Sequence, residues 1–130
     1  MADITGWIAV VTEDIGAAHN CAGGSPPALR SAAYHCQQAA EKIVKGWLVL
    51  RGREPERTHD IERLVALLAA TGPLPDGLTG LVHFTPFATE YRYPPEDTPP
   101  PEPPAVAEVL EWCAILADHC GSLAAAARGR

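Results

Sequence analysis

The sequence predicts an all-α fold: an up-and-down bundle of four to five helices in a single domain over residues 1–130. Three observations lead there. Apolar residues recur at steps of three and four through several long stretches, which is the period of an amphipathic helix. No stretch of any length alternates apolar and polar residues, so there is no strand pattern from which to build a sheet. The composition, 47% hydrophobic and 20% charged over 130 residues, is that of an ordinary globular domain large enough to bury a core without staples. There is no internal repeat, and helix-on-helix packing is the architecture that buries such faces.

The first helix is expected over about 3–18, where Ile4, Trp7, Ile8, Val11 and Ile15 form one side. The stretch from His19 to Gly24 ends it, and Ser25-Pro26 signals the next start, with a capping hydroxyl followed by a proline. The second helix, about 26–51, carries the widest apolar face: Leu29, Ala32, Ala33, Cys36, Ala39, Ala40, Ile43, Val44, Trp47 and Leu50. Its small residues suit close approach of a neighbouring helix. Residues 52–57 form a charged loop. Thr58 is placed to cap a third helix, with Asp60 and Glu62 in the first turn, where carboxylates suit the dipole. Gly72-Pro73 breaks that helix. A short fourth is expected around 75–84, weakened by Gly77 and Gly80. Residues 94–104 contain seven prolines and read as a stiff extended loop. The last helix, about 105–127, repeats Val106, Val109, Leu110, Cys113, Leu116, Cys120 and Leu123.

Net charge is −6, unevenly spread. From Tyr93 to Ala127 there is no Lys or Arg, against six acids; residues 42–63 hold six of the ten basic groups. The acidic total excludes a general nucleic-acid coat but leaves room for a local basic face. The longest apolar run, Leu64 to Ala70, is seven residues, far short of the ~18–20 of a membrane span, so no membrane association is expected. The four cysteines form no C-x-x-C pair, and no basic signal segment opens the chain. Both features predict a cytoplasmic protein with reduced thiols. Neither cysteines nor histidines fall at metal-ligand spacing, so no metal and no cofactor is expected.

Three groups of residues have the chemistry for a site. His35, Gln38, Lys42 and Lys45 are spaced by three and four, so they form one row on the second helix. Such a row reads first as a solvated face and second as a binding face for phosphate. Arg53 and His59, with five residues between them, pair a guanidinium with a group that titrates near neutrality, the two parts a phosphodiester reaction needs. Pro55 falls in that interval, so the two do not share one continuous helix. Tyr91-Arg92-Tyr93 sets two rings around an arginine, a pattern able to stack on a base and hold a phosphate.

Tyr34-His35-Cys36-Gln37-Gln38-Ala39-Ala40-Glu41-Lys42, then Lys45, Leu50-x-Gly52, Thr58-His59-Asp60 and Arg92-Tyr93-Pro94 form an ordered set that resembles the HEPN domain (higher eukaryotes and prokaryotes nucleotide-binding). The resemblance runs from Trp7-Ile8 and Glu13-Asp14 through the last helix. It implies an up-and-down helical bundle, in agreement with the periodicity. It also implies a homodimer and work beside a minimal nucleotidyltransferase, often in toxin–antitoxin or defence modules. Active members are metal-independent ribonucleases that carry Arg, four to six residues, then His. Arg53 with His59 meets that spacing, and so does Arg30 with His35, with four between. Arg30 and His35 lie roughly 140° apart around one helix.

The leading expectation is therefore a nucleotide- or RNA-binding subunit that acts with a nucleotidyltransferase and does not itself cleave RNA. Its binding residues would be His35, Gln38, Lys42, Lys45, Tyr91, Arg92 and Tyr93. One alternative is a metal-independent endoribonuclease toxin using Arg53 and His59. The other is an interaction subunit with no nucleic-acid contact. The broad faces of the second and last helices further predict a symmetric dimer.

Overall fold

The computed structural model of the chain describes residues 4–89 and 102–129. Among them are four α-helices and one 3-10 helix, with no strand: α1 Ile4–Ala22, α2 Leu29–Leu50, α3 Ile61–Ala69, the 3-10 helix Leu78–Ala88, and α4 Val106–Arg128. The expected all-α bundle is what forms. The helix α2 lies at its centre, packed against α1, α3, the 3-10 helix and α4. The core is one cluster to which every helix contributes, from Val11 on α1 through Ile43, Leu64 and Leu81 to Leu116.

The element ends shift for local reasons. The first helix runs a turn further than expected, to Ala22, and stops only when Gly23 and Gly24 turn back onto the His19 and Cys21 carbonyls. The second starts at Leu29, without a side-chain cap, rather than at Pro26. Pro27 bars Pro26 from helical backbone, so the Ser25-Pro26 signal is displaced by three residues. Asp60, not Thr58, caps α3: its Oδ1 accepts from the Arg63 amide at 3.3 Å. The Thr58 hydroxyl accepts instead from the Asp60 amide at 3.1 Å. The expected fourth helix is a 3-10 helix that begins after Gly77, whose φ of +75° suits glycine. With Gly80 and Pro86 inside it, an α-helical ladder gains little there. At the start of α4, Glu108 Oε1 accepts from the Ala105 amide at 3.1 Å. Of the proline-rich stretch, residues 94–101 lie outside the described residues.

Two contacts set how closely the helices approach. Gly46 of α2 faces Leu123 of α4, Ile4 and Trp7; a Cβ there would stand 2.7 Å from Leu123 Cδ2. Further along, the buried Cys36 thiol of α2 lies against that of Cys113 on α4, and burial pushes the pKa of both up. Cys113 also donates to the Ile15 carbonyl at 3.9 Å. All four cysteines are free thiols.

The apolar side of α2 is therefore largely used inside the bundle, with only Leu29 and Leu50 of its expected face partly exposed. The three large hydrophobic residues left exposed among the described residues, Val106, Leu110 and Ile115, are all on α4. By length and composition α4 is also the one described helix able to cross a membrane. Here its Val109, Cys113, Leu116, Cys120 and Leu123 are core residues of the bundle.

Candidate functional site

Buried charge organises the outer side of α2. Among the described residues only three polar or charged residues are buried: Asp14, Gln37 and Glu41. An ionised carboxylate cannot be buried alone without severe cost, so its partners define the local structure. Asp14, on α1, takes His35 Nδ1 on Oδ1 at 3.1 Å and Lys42 Nζ on Oδ2 at 2.7 Å. Glu41, on α2, takes His59 Nδ1 at 2.8 Å and Gln37 Nε2 at 3.0 Å on Oε1, and Lys45 Nζ at 2.9 Å on Oε2. Gln38 donates to Gln37 Oε1 at 2.7 Å, so a chain of hydrogen bonds runs from Gln38 to His59.

Burial alone would push the Glu41 carboxyl up. The hydrogen bonds from His59, Lys45 and Gln37, with the Lys45 charge, outweigh it and hold Glu41 below its ordinary value. Ionised Glu41 only accepts, so His59 must carry a proton on Nδ1. That leaves Nε2 for solvent or a ligand, and the His59 side chain is 71% exposed.

Beside this cluster lies an open cavity of about 600 Å³, lined by Trp7 of α1, Lys45 and Val49 of α2, and the 52–57 loop with Arg53, Glu54, Glu56 and Arg57. Lys45 joins the two parts: it lines the cavity and shares Glu41 with His59. Arg53 also lines a second cavity of about 310 Å³ on the α3 side of the loop, with Leu48, Leu67 and Thr71. Several contacts shape the loop. The Arg53 amide bonds Leu48 O at 2.9 Å. Glu56 takes both Nη2 and Nε of Arg63, at 2.8 and 3.2 Å. Arg51 reaches across to Thr71 Oγ1 at 3.1 Å and to the Pro73 carbonyl, with its guanidinium 5.9 Å from the Trp47 ring. Among the described residues no cluster of metal-ligating side chains occurs.

The expected site residues divide accordingly. Lys45, Arg53 and His59 come to one side of α2. His35 and Lys42 turn to Asp14 instead, and Gln38 to Gln37, so the row is a bonded network rather than a free solvated face. Arg30 lines a separate cavity of about 210 Å³ at the start of α2, while His35 is held by Asp14. Tyr91, Arg92 and Tyr93 lie outside the described residues. The sequence reading missed Asp14, Glu41 and Gln37 as centres of the network, and Trp7 as a cavity wall. The local signals were the four-residue steps from Gln37 to Glu41 and from Glu41 to Lys45, the spacing at which helical side chains pair.

With this geometry in place, comparison with known proteins gives one finding. The family model of the HEPN domain matches residues 13–118. No curated protein and no solved structure matches the chain. The matched span includes both carboxylate clusters and the 52–57 loop.

Proposed function

We propose, from the premise that the chain belongs to the HEPN domain family, that it is a cytoplasmic nucleotide- or RNA-binding subunit working with a nucleotidyltransferase partner, in a module of the toxin–antitoxin or defence kind. The observation that carries the binding part is the cavity of about 600 Å³ lined by Trp7, Lys45, Arg53 and Arg57. An aromatic face stacks on a base, and guanidinium and ammonium groups take phosphate oxygens. Glu54 and Glu56 temper the charge, so the site suits a short anionic ligand better than a long duplex. All these groups come from one chain. Calorimetric titration with a mononucleotide and with a short single-stranded RNA at low ionic strength tests the reading. Affinity should fall as salt rises, because phosphate contacts release counterions. Absence of binding to either probe overturns the reading and leaves the interaction-subunit alternative.

The ribonuclease alternative draws on a different observation. Glu41 anchors His59 through Nδ1 and leaves Nε2 open, and a histidine so held is placed to pass a proton to or from a bound group. RNA incubated with the protein in EDTA decides it: cleavage that vanishes in His59→Ala establishes the enzyme, and intact RNA keeps the binding reading.

A further inference from the structure

The bundle leaves one helix half-clothed. Around α4 the core residues cover one side, and the flank beside them carries Val106, Leu110, Ala114, Ala117 and Gly121, all exposed. Their spacing of four, four, three and four is that of a helix-pairing seam. Val106 is 36% exposed and Leu110 is 42% exposed, large values for apolar side chains. A Cβ built on Gly121 would meet nothing within 4 Å, so the seam has room for close approach. Glu111 and Asp118 lie seven residues apart along one edge of the seam, both exposed. In paired helices such flanking positions set the choice of partner by charge.

We propose that this face of α4 is a docking surface for a basic amphipathic helix of a partner protein: apolar residues fill the seam, and Lys or Arg at a seven-residue interval meets Glu111 and Asp118. Charge complementarity selects this occupant. An antiparallel second copy would set the acidic edge against its own. A parallel copy would bring it no base, since α4 has no Lys or Arg before Arg128. Anionic lipid is repelled by the same edge. The surface is independent of the proposed nucleotide site, because α4 contributes no residue to the lining of that cavity.

The test titrates the full chain, by fluorescence anisotropy at low ionic strength, with two synthetic helical peptides. Both carry the same Leu/Ala seam; one has Lys and the other Glu at the flanking positions. The Lys peptide should bind about tenfold tighter, the sum of two gained attractions and two avoided repulsions. The charge-reversed variant E111K/D118K should invert that preference, and L110D should abolish binding of both peptides while circular dichroism stays unchanged. Equal affinity for the two peptides, or binding of neither, overturns the proposal. Micromolar self-association that L110D abolishes would assign the face to a second copy and overturn it. Sedimentation of the chain with zwitterionic vesicles would assign it to a membrane, with the same result.

Discussion

The molecule solves one electrostatic problem twice. Asp14 and Glu41 are both buried, and each holds one lysine and one histidine Nδ1. Around Asp14 both partners come from α2, with side chains 32% and 27% exposed, so the cluster laces two adjacent helices together. Around Glu41 the lysine is 13% exposed, and the histidine comes from the segment before α3 with most of its ring in solvent. The first cluster closes on itself. The second ends in an open ring nitrogen and a cation that lines a cavity. The same pairing chemistry is a fastener in one place and borders the proposed site in the other; the element that supplies the histidine makes the difference.

Stability measurements put that contrast at its sharpest. Glu41→Gln leaves the Lys45 ammonium deeply placed without a counter-charge. The expected loss is about 3–5 kcal/mol, the usual result of removing one member of a buried pair. Asp14→Asn should lose about 1–2 kcal/mol, because Lys42 and His35 can turn to water. Urea unfolding of the two variants checks this, and equal losses would erase the distinction. Ligand affinity is next in size. Arg53→Ala should weaken nucleotide binding by about 1–3 kcal/mol, the scale of a charge-assisted hydrogen bond, whereas Lys42→Ala should leave it nearly unchanged. A titration in which Lys42→Ala is the more damaging would move the site to the Asp14 cluster.

Two smaller effects refine the account of Glu41. His59→Ala removes one of its three donors and should cost about 1 kcal/mol, since the ring itself is mostly in water. The last effect is a slope with pH. Glu41 is held below its ordinary value of 4.5, so in acid the unfolded chain takes up the proton more readily than the folded one. The contribution is complete above pH 4.5 and is lost as pH falls through the depressed folded value. Urea midpoints followed into acid should therefore drop more steeply for the wild type than for Glu41→Gln; parallel curves would remove Glu41 from the cause.

How legible each part was depends on the range of the interaction. The helices were legible because Ile43, Val44 and Trp47, or Val109, Cys113 and Leu116, repeat within a turn or two. The start of α3 was misplaced by two residues because Thr58 and Asp60 both suit a cap, and only the Arg63 amide decides between them. The fourth helix was foreseen as an element, but its 3-10 form reflects Gly80 and Pro86 acting together. The site was half visible. Arg53, His59 and Lys45 were named from their chemistry, whereas the partner that organises two of them was not. Glu41 reaches His59 across 18 residues, and helical period carries no information at that distance. His35 and Lys42 were set on a solvated face because Asp14, 21 and 28 residues earlier, was not in view.

The cysteines turn the core into its own clock. Only a thiolate reacts with an alkylating reagent, and burial disfavours the thiolate at both Cys36 and Cys113. Cys21, by contrast, is only half-buried, on α1. A reagent added to the native chain should therefore mark Cys21 early. It should mark the Cys36–Cys113 pair only in molecules whose α2–α4 contact has opened. When opening and closing are fast relative to the chemistry, the rate ratio against an unfolded reference thiol equals the opening equilibrium. Mass spectrometry of timed samples thus gives the free energy of separating α2 from α4 without an engineered probe or denaturant.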